Sequence, residues 1–136
     1  MNGILLIDKK ENKSTTFIDM IVKKRIGTSK VGHAGTLDPF ATGLVICGVN
    51  KGTKILSYLE NASKEYLATL KLGVKTNTLD REGEVLEIRE VKKHNREEIE
   101  EVLRSFLGKI KQVPPMYSAL KVNGVPLYKL ARKDVE

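Results

Sequence analysis

Five of the eleven glycines fall in one stretch of the chain, residues 31–54, VGHAGTLDPFATGLVICGVNKGTK. Glycine weakens helix and strand interiors and lets the backbone take conformations closed to other residues. Proline fixes its own φ and removes a hydrogen-bond donor. Gly32, Gly35, Pro39 and Gly43 interrupt the first half of the stretch, which is therefore expected to be an irregular loop. The apolar run Leu44–Val49 behind it reads as a buried strand, and Thr53–Leu59 as a short helix.

The flanking sequence supplies regular elements to carry that loop. Gly3–Ile7, GILLI, reads as a buried strand and Asp8–Lys13 as a polar loop. Ser14 or Thr15 can cap a helix that runs to about Ile26, with Gly27 at its C-terminal end and Phe17, Ile18, Ile21 and Val22 as its apolar face. Tyr66, Ala68, Leu70 and Leu72 alternate with mostly polar neighbours, as a half-buried strand does. A polar turn region, Gly73–Gly83, precedes a second alternating strand over Glu84–Val91. Asn95 with Glu98 has the spacing of a capping box, opening a helix that turns Ile99, Val102, Leu103 and Phe106 inward and ends at Gly108. Lys109–Val113 is expected to be a strand broken by Pro114-Pro115, and Asn123-Gly124 is a strong hairpin signal. Helices and strands mix without strict βαβ order, so the fold class is α+β, a mixed, largely antiparallel sheet with flanking helices.

The 136 residues suffice for one domain with a core. No apolar run approaches the ~20 residues of a membrane span, and the N-terminus lacks the basic region of a secretory signal. The single cysteine, Cys47, excludes an internal disulfide and fits a reducing cytoplasm. With two histidines beside it, a zinc site is not expected. The net charge of +7 is uneven: residues 1–54 carry +5, residues 55–108 carry −2, and residues 109–136 carry +4. Basic ends suit a polyanion, RNA or DNA being the obvious candidates.

The chemistry concentrates in Gly32-His33-Ala34-Gly35-Thr36-Leu37-Asp38-Pro39. Two uses of Asp38 are open on the residues alone. It can N-cap a helix whose first residue is Pro39, or it can be a reactive carboxylate on a glycine-lined loop. His33 can likewise be structural or functional. The phosphate-binding pattern G-x-x-x-x-G-K-[ST] is absent.

Lys30-Val31-Gly32-His33-Ala34-Gly35-Thr36-Leu37-Asp38-Pro39-Phe40-Ala41-Thr42-Gly43 resembles the signature of TruB-type pseudouridine synthases. Three further blocks agree in order: Lys64-Glu65-Tyr66 opening a segment that ends in Leu72-Gly73; Thr76–Gly83, TNTLDREG; and Gln112–Lys121, QVPPMYSALK, followed by Gly124, Tyr128 and Ala131-Arg132. The resemblance covers essentially the whole chain. It implies isomerisation of uridine to pseudouridine at position 55 in the T-arm of tRNA. Such a reaction needs no redox cofactor, metal or energy source, so no cofactor is expected. It implies Asp38 as the catalytic carboxylate, acting as nucleophile or base, and Tyr66 stacked under the flipped base near C5. His33 would occupy the space the extruded uridine leaves in the T-loop, with Gly32, Gly35 and Thr36 beside it as substrate- or RNA-binding residues. Lys9, Lys30, Lys121 and Arg132 would contact phosphates. Tyr117 and Ser118 would sit at a pocket wall or face the RNA.

Asn12, Asn77 and Asp134 stand where the family has Gly, Asp and Gly. The family continues well past the length of this chain, through an arginine that pairs with the catalytic aspartate and a C-terminal RNA-binding domain of the PUA type. Residues 1–136 are therefore expected to be the N-terminal portion of the catalytic domain, with little activity by themselves. The alternatives are a non-catalytic RNA-binding module, a relative directed by box H/ACA guide RNA, and a structural fragment that self-associates through an incomplete sheet.

Overall fold

The computed structural model describes residues 1–115, 117–118 and 120–127. The chain divides into two compact units, Met1–Leu67 and Ala68–Glu136.

In the first unit, β1 (Gly3–Lys9), β2 (Val31–His33) and β3 (Gly43–Val49) form an antiparallel sheet in the order β1-β3-β2. Gly3 lies opposite Val49 and Lys9 opposite Gly43; on the other side of β3, His33 lies opposite Cys47. Helix α1 (Thr15–Ile26) begins where the Ser14 hydroxyl accepts from the Phe17 N–H and stops at Gly27, whose φ of 67° is left-handed. Lys23, Lys24 and Arg25 in its last turn complement the helix dipole. A 3-10 turn (Asn50–Ile55) leads into the short helix α2 (Leu56–Leu59). The core joins Ile18 and Val22 of α1 to Val45, Cys47 and Val49 of β3, with Leu5, Ile7, Ile26, Val31 and Leu37 packed against it. Alternation along the strands turns Ile4, Leu6 and Leu44 to the exposed face, so β1 is half-buried rather than buried throughout.

In the second unit, β4 (Val74–Thr76) pairs antiparallel with β5 (Val85–Ile88). The turn between them is held by its own side chains. Thr76 Oγ1 donates to the Asp80 carbonyl at 2.7 Å, Asp80 Oδ1 accepts from Thr78 Oγ1 and the Glu82 N–H, and Asn77 Oδ1 accepts from the Glu84 N–H at 3.0 Å. Asn77 thus uses an oxygen that an aspartate would also offer. Helix α3 (Arg96–Arg104) opens with the expected capping box of Asn95 and Glu98. Strands β6 (Lys121–Val122) and β7 (Val125–Pro126) form the expected hairpin, with Asn123 at φ 51° and Gly124 at φ 81°.

Five further expectations are corrected. Val31–His33 is a strand despite Gly32, because β3 supplies a pairing partner and a Cβ at Gly32 would meet only Leu56 Cδ1 at an ordinary 3.6 Å. The buried stripe of α1 is Thr15, Ile18, Asp19 and Val22, with Ile21 exposed. Tyr66–Leu72 is not a strand: alternation chooses a face, but a strand requires a paired backbone, and no described strand runs beside it. Lys109–Val113 is likewise irregular. Helix α3 ends at Arg104, and Ile99, Val102, Leu103 and Phe106 are exposed.

Candidate active site

The residues that carry the resemblance on one loop, His33 to Asp38, run from the end of β2 into a turn. No helix starts at Pro39. The Ala41 N–H donates to the Asp38 carbonyl at 3.0 Å, closing a four-residue turn with proline at its second position, where its fixed φ is favourable. Asp38 is therefore not a helix cap. It is exposed, and among the described residues no side chain forms an ion pair or hydrogen bond with its carboxylate.

The residues on either side of Asp38 are held. On one side, Thr15 Oγ1 donates to the Leu37 carbonyl at 3.2 Å and accepts from the Leu37 N–H at 3.1 Å. Thr15 is buried in the first turn of α1, so this two-point clamp fixes the loop to the helix. On the other side, the Pro39 carbonyl accepts from Lys9 Nζ at 3.0 Å and from the Asn12 N–H at 2.8 Å. Asn12 can present its N–H there because it takes the left-handed backbone, φ 61°, that the substitution for glycine required.

Lys9 is the largest departure from expectation. It is 0% exposed, and its ammonium also donates to the carbonyls of Lys13 at 2.8 Å and Lys10 at 3.2 Å. Three donors meet three carbonyls, which is how an ammonium can be buried without an acidic partner. Lys9 is a strut between β1 and the Asp38 turn, not a phosphate contact.

His33 is held from inside. Its Nδ1 lies 2.7 Å from Oδ2 of Asp19, a carboxylate 8% exposed in the buried stripe of α1. The other Asp19 oxygen accepts from Cys47 Sγ at 3.7 Å, and Thr36 Oγ1 stands 3.5 Å from His33 Nε2. Burial, followed by the charge of Asp19 and its hydrogen bond, pushes the Cys47 thiol up to about 11. Gly35 takes a φ of 84° with open space around it, so its need for glycine is conformational.

The other residues expected at the site lie on other elements. Lys30 is exposed just before β2, and its carbonyl accepts from the Asn50 N–H. Tyr66 is 68% exposed on the irregular segment after α2. Lys121 is exposed on β6. Tyr117 is partly exposed, and Ser118 Oγ is buried with no hydrogen-bond partner among the described residues. Arg132, Tyr128 and Asp134 lie outside the described residues. Among the described residues, no group of three or more His, Cys, Asp or Glu could hold a metal ion, and no helix is long and apolar enough to cross a membrane. A shallow hollow beside β4 and β5, lined by Gly73, Val74, Lys75, Glu87 and Arg89, includes no residue of the His33–Asp38 loop.

Sequence reading missed Thr15, Asp19 and the burial of Lys9. A signal for two of them was present: Thr15 and Asp19 occupy the i, i+4 positions that continue through Val22 and Ile26, and a carboxylate within an apolar stripe needs a partner.

The chain is similar to known proteins over most of its length. Residues 23–136 match the model of the TruB family pseudouridylate synthase, N-terminal domain. The tRNA pseudouridine synthase B of Clostridium kluyveri is 49% identical over 136 residues, 100% of this chain and 47% of the relative. That of Geotalea uraniireducens is 45% identical over 136 residues, 100% of this chain and 44% of the relative. That of Blochmanniella floridana is 47% identical over 135 residues, 99% of this chain and 52% of the relative. The chain spans about half the length of the curated relatives it matches. With the signature loop, the ordered blocks around it and this match over most of its length, the chain belongs to the TruB family of pseudouridylate synthases, in the part that forms their N-terminal domain.

Proposed function

We propose that this protein converts uridine to pseudouridine at position 55 in the T-arm of tRNA, and that Asp38 is the carboxylate that acts at the reacting nucleotide. The relatives' name, tRNA pseudouridine synthase B, supplies the substrate class. In the reaction the N1–C1′ bond of uridine breaks and the freed uracil turns. A C5–C1′ bond then forms, the C5 proton leaves to solvent and N1 takes one up, so the product is an isomer and the atoms balance without a co-reactant. The departing uracil spreads negative charge over its carbonyls and needs little protonation, so one carboxylate can serve where glycosidases use two.

A paired and stacked base is beyond reach of a surface carboxylate, so the uridine must be extruded. His33 fills the place it leaves, with Gly32, Gly35 and Thr36 setting the shape of the loop, and Tyr66 stacks under the uracil. Lys30, Lys121 and Arg132 are the basic contacts to phosphate. Lys9 serves the site from beneath.

The observation that carries this assignment is the exposure of Asp38 between two immobilised neighbours: Leu37 clamped by Thr15, and Pro39 held by Lys9 and Asn12. A reacting group held by its backbone arrives oriented, and orientation lowers the barrier. The test is tritium release from C5-labelled uridine in tRNA by the intact enzyme. Asp38→Asn is expected to slow release about 10²–10⁴-fold, the range for loss of a group that transfers protons or attacks. Normal turnover by that variant would refute the assignment.

A further inference from the structure

Asp19 is the buried carboxylate among the described residues. Of its neighbours in the buried α1 stripe, Ile18 and Val22 are apolar and Thr15 is polar. A carboxylate in that position is tolerated only when its oxygens are satisfied, and each has a side-chain partner from a different strand. Cys47 on β3 donates its thiol hydrogen to Oδ1, while Oδ2 meets Nδ1 of His33 on β2. Cys47 and His33 are directly opposite each other in the sheet register, so one helical side chain bridges both strands. The thiol keeps its proton well above neutrality, so it is a lasting donor. The carboxylate orientation is therefore fixed, and Oδ2 is left to the histidine as an acceptor only.

We propose that Asp19 is the positioning residue for His33. It holds the imidazole with Nδ1–H turned inward, which leaves Nε2 directed at Thr36 in the exposed loop and fixes the ring before RNA arrives. The inference rests on the proposed role of His33 in the T-loop. A ring ordered in advance does not lose that freedom on binding, and the lost freedom of a side chain is a recognised cost of association.

The isosteric change Asp19→Asn reverses the hydrogen-bond logic. The amide oxygen still accepts from Cys47, but the amide NH₂ now donates to Nδ1, so the proton on the neutral ring moves to Nε2. Nitrogen-15 spectra of the histidine-labelled intact enzyme, recorded on the neutral ring without RNA, should show Nδ1–H for His33 in the parent and Nε2–H in the variant. KM for a T-arm stem-loop should rise roughly three- to tenfold, with kcat within about twofold. On a His33→Ala background the same substitution should raise KM no further, because its effect passes through the ring. If Asp19→Asn does not fold, Asp19→Leu, apolar like Ile18 and Val22, takes its place, and His33 should then lose its Nδ1–H preference. An unchanged His33 tautomer overturns the positioning role whether or not the enzyme is active. So does a KM effect that persists in the His33→Ala background. The tautomer needs no RNA and the Asp38→Asn assay needs no Asp19, so the two proposals fail separately.

Discussion

The two units follow the patterns of their sequences to different depths. In Met1–Leu67 the apolar periodicity of α1 and the alternation of β1 and β3 converge on one core, and the same core encloses polar groups: Lys9, Thr15 and Asp19. In the second unit the local signals are equally clear. Asn95 and Glu98 form their capping box, and Arg96 and Arg104 flank Glu100 at i, i+4 spacing along α3. Yet Val102 is 61% and Phe106 62% exposed, and Thr76 is the buried polar residue among those described. Local chemistry is enough to start and stop a helix. Burial of its face requires a partner surface, and periodicity does not name one.

The contrast can be broken by truncating one apolar side chain in each unit. Ile18→Ala opens a cavity between α1 and β3 and should cost about 2–5 kcal/mol. Val102→Ala removes a side chain that already faces solvent, so its effect should stay within about 0.5 kcal/mol. Denaturant unfolding of the two variants measures both. Equal losses would mean that the face of α3 is covered in solution and that the two units do not differ in this way.

What was legible in the sequence follows the same division. Ser14 and Gly27 could be named as the ends of α1, and Asn123-Gly124 as a hairpin, because each acts within a few residues of itself. Asn12 could be expected in a left-handed turn for the same reason. β2 was hidden because Gly32 argues against a strand locally, and only its register with β3, residues away in the chain, overrides that. Tyr66–Leu72 shows the reverse failure, an alternating pattern with no described strand beside it. The Asp38 loop stood out through the family signature, but the buried groups that hold it did not. A lysine or an aspartate is by default a surface residue. Lys9 is buried because three carbonyls from a turn thirty residues away and from its own loop converge on it. Asp19 is buried because His33 and Cys47 arrive beside it from two strands.

Removing such a support sharpens the comparison at a smaller scale. Lys9→Met keeps an unbranched apolar stem out to Cε and deletes the ammonium, leaving the Lys10 and Lys13 carbonyls without this donor and the Pro39 carbonyl with Asn12 alone. The expected loss is about 1–3 kcal/mol of stability, as for other buried polar groups left unpaired. Tritium release should fall as well, since the Pro39 carbonyl beside Asp38 loses one of its two donors. Unchanged stability would show that the ammonium does not bear on the turn. Substitution of Lys75, exposed on β4 in the second unit, should be neutral by comparison.

The smallest effect concerns the thiol. Burial, with the charge and hydrogen bond of Asp19, pushes Cys47 up to about 11 from an ordinary 9.0. On raising the pH, the unfolded chain gives up this proton first. Between about pH 9 and about pH 11 the folded state therefore holds more protons than the unfolded state, and stability from this group falls as pH rises. Below about pH 9 both states keep the proton, and the contribution is complete and flat. The described part of the second unit buries no ionisable group, so no matching slope is expected from it. Cys47→Val removes the titrating atom with little change of volume. Denaturant midpoints at about pH 8 and about pH 10.5 should fall further apart in the parent than in Cys47→Val. All other groups are common to both proteins and cancel in the difference. Parallel pH dependence in the two would mean that the Cys47 thiol meets solvent and that the core beneath His33 is more open than the packing of α1 on β3 implies.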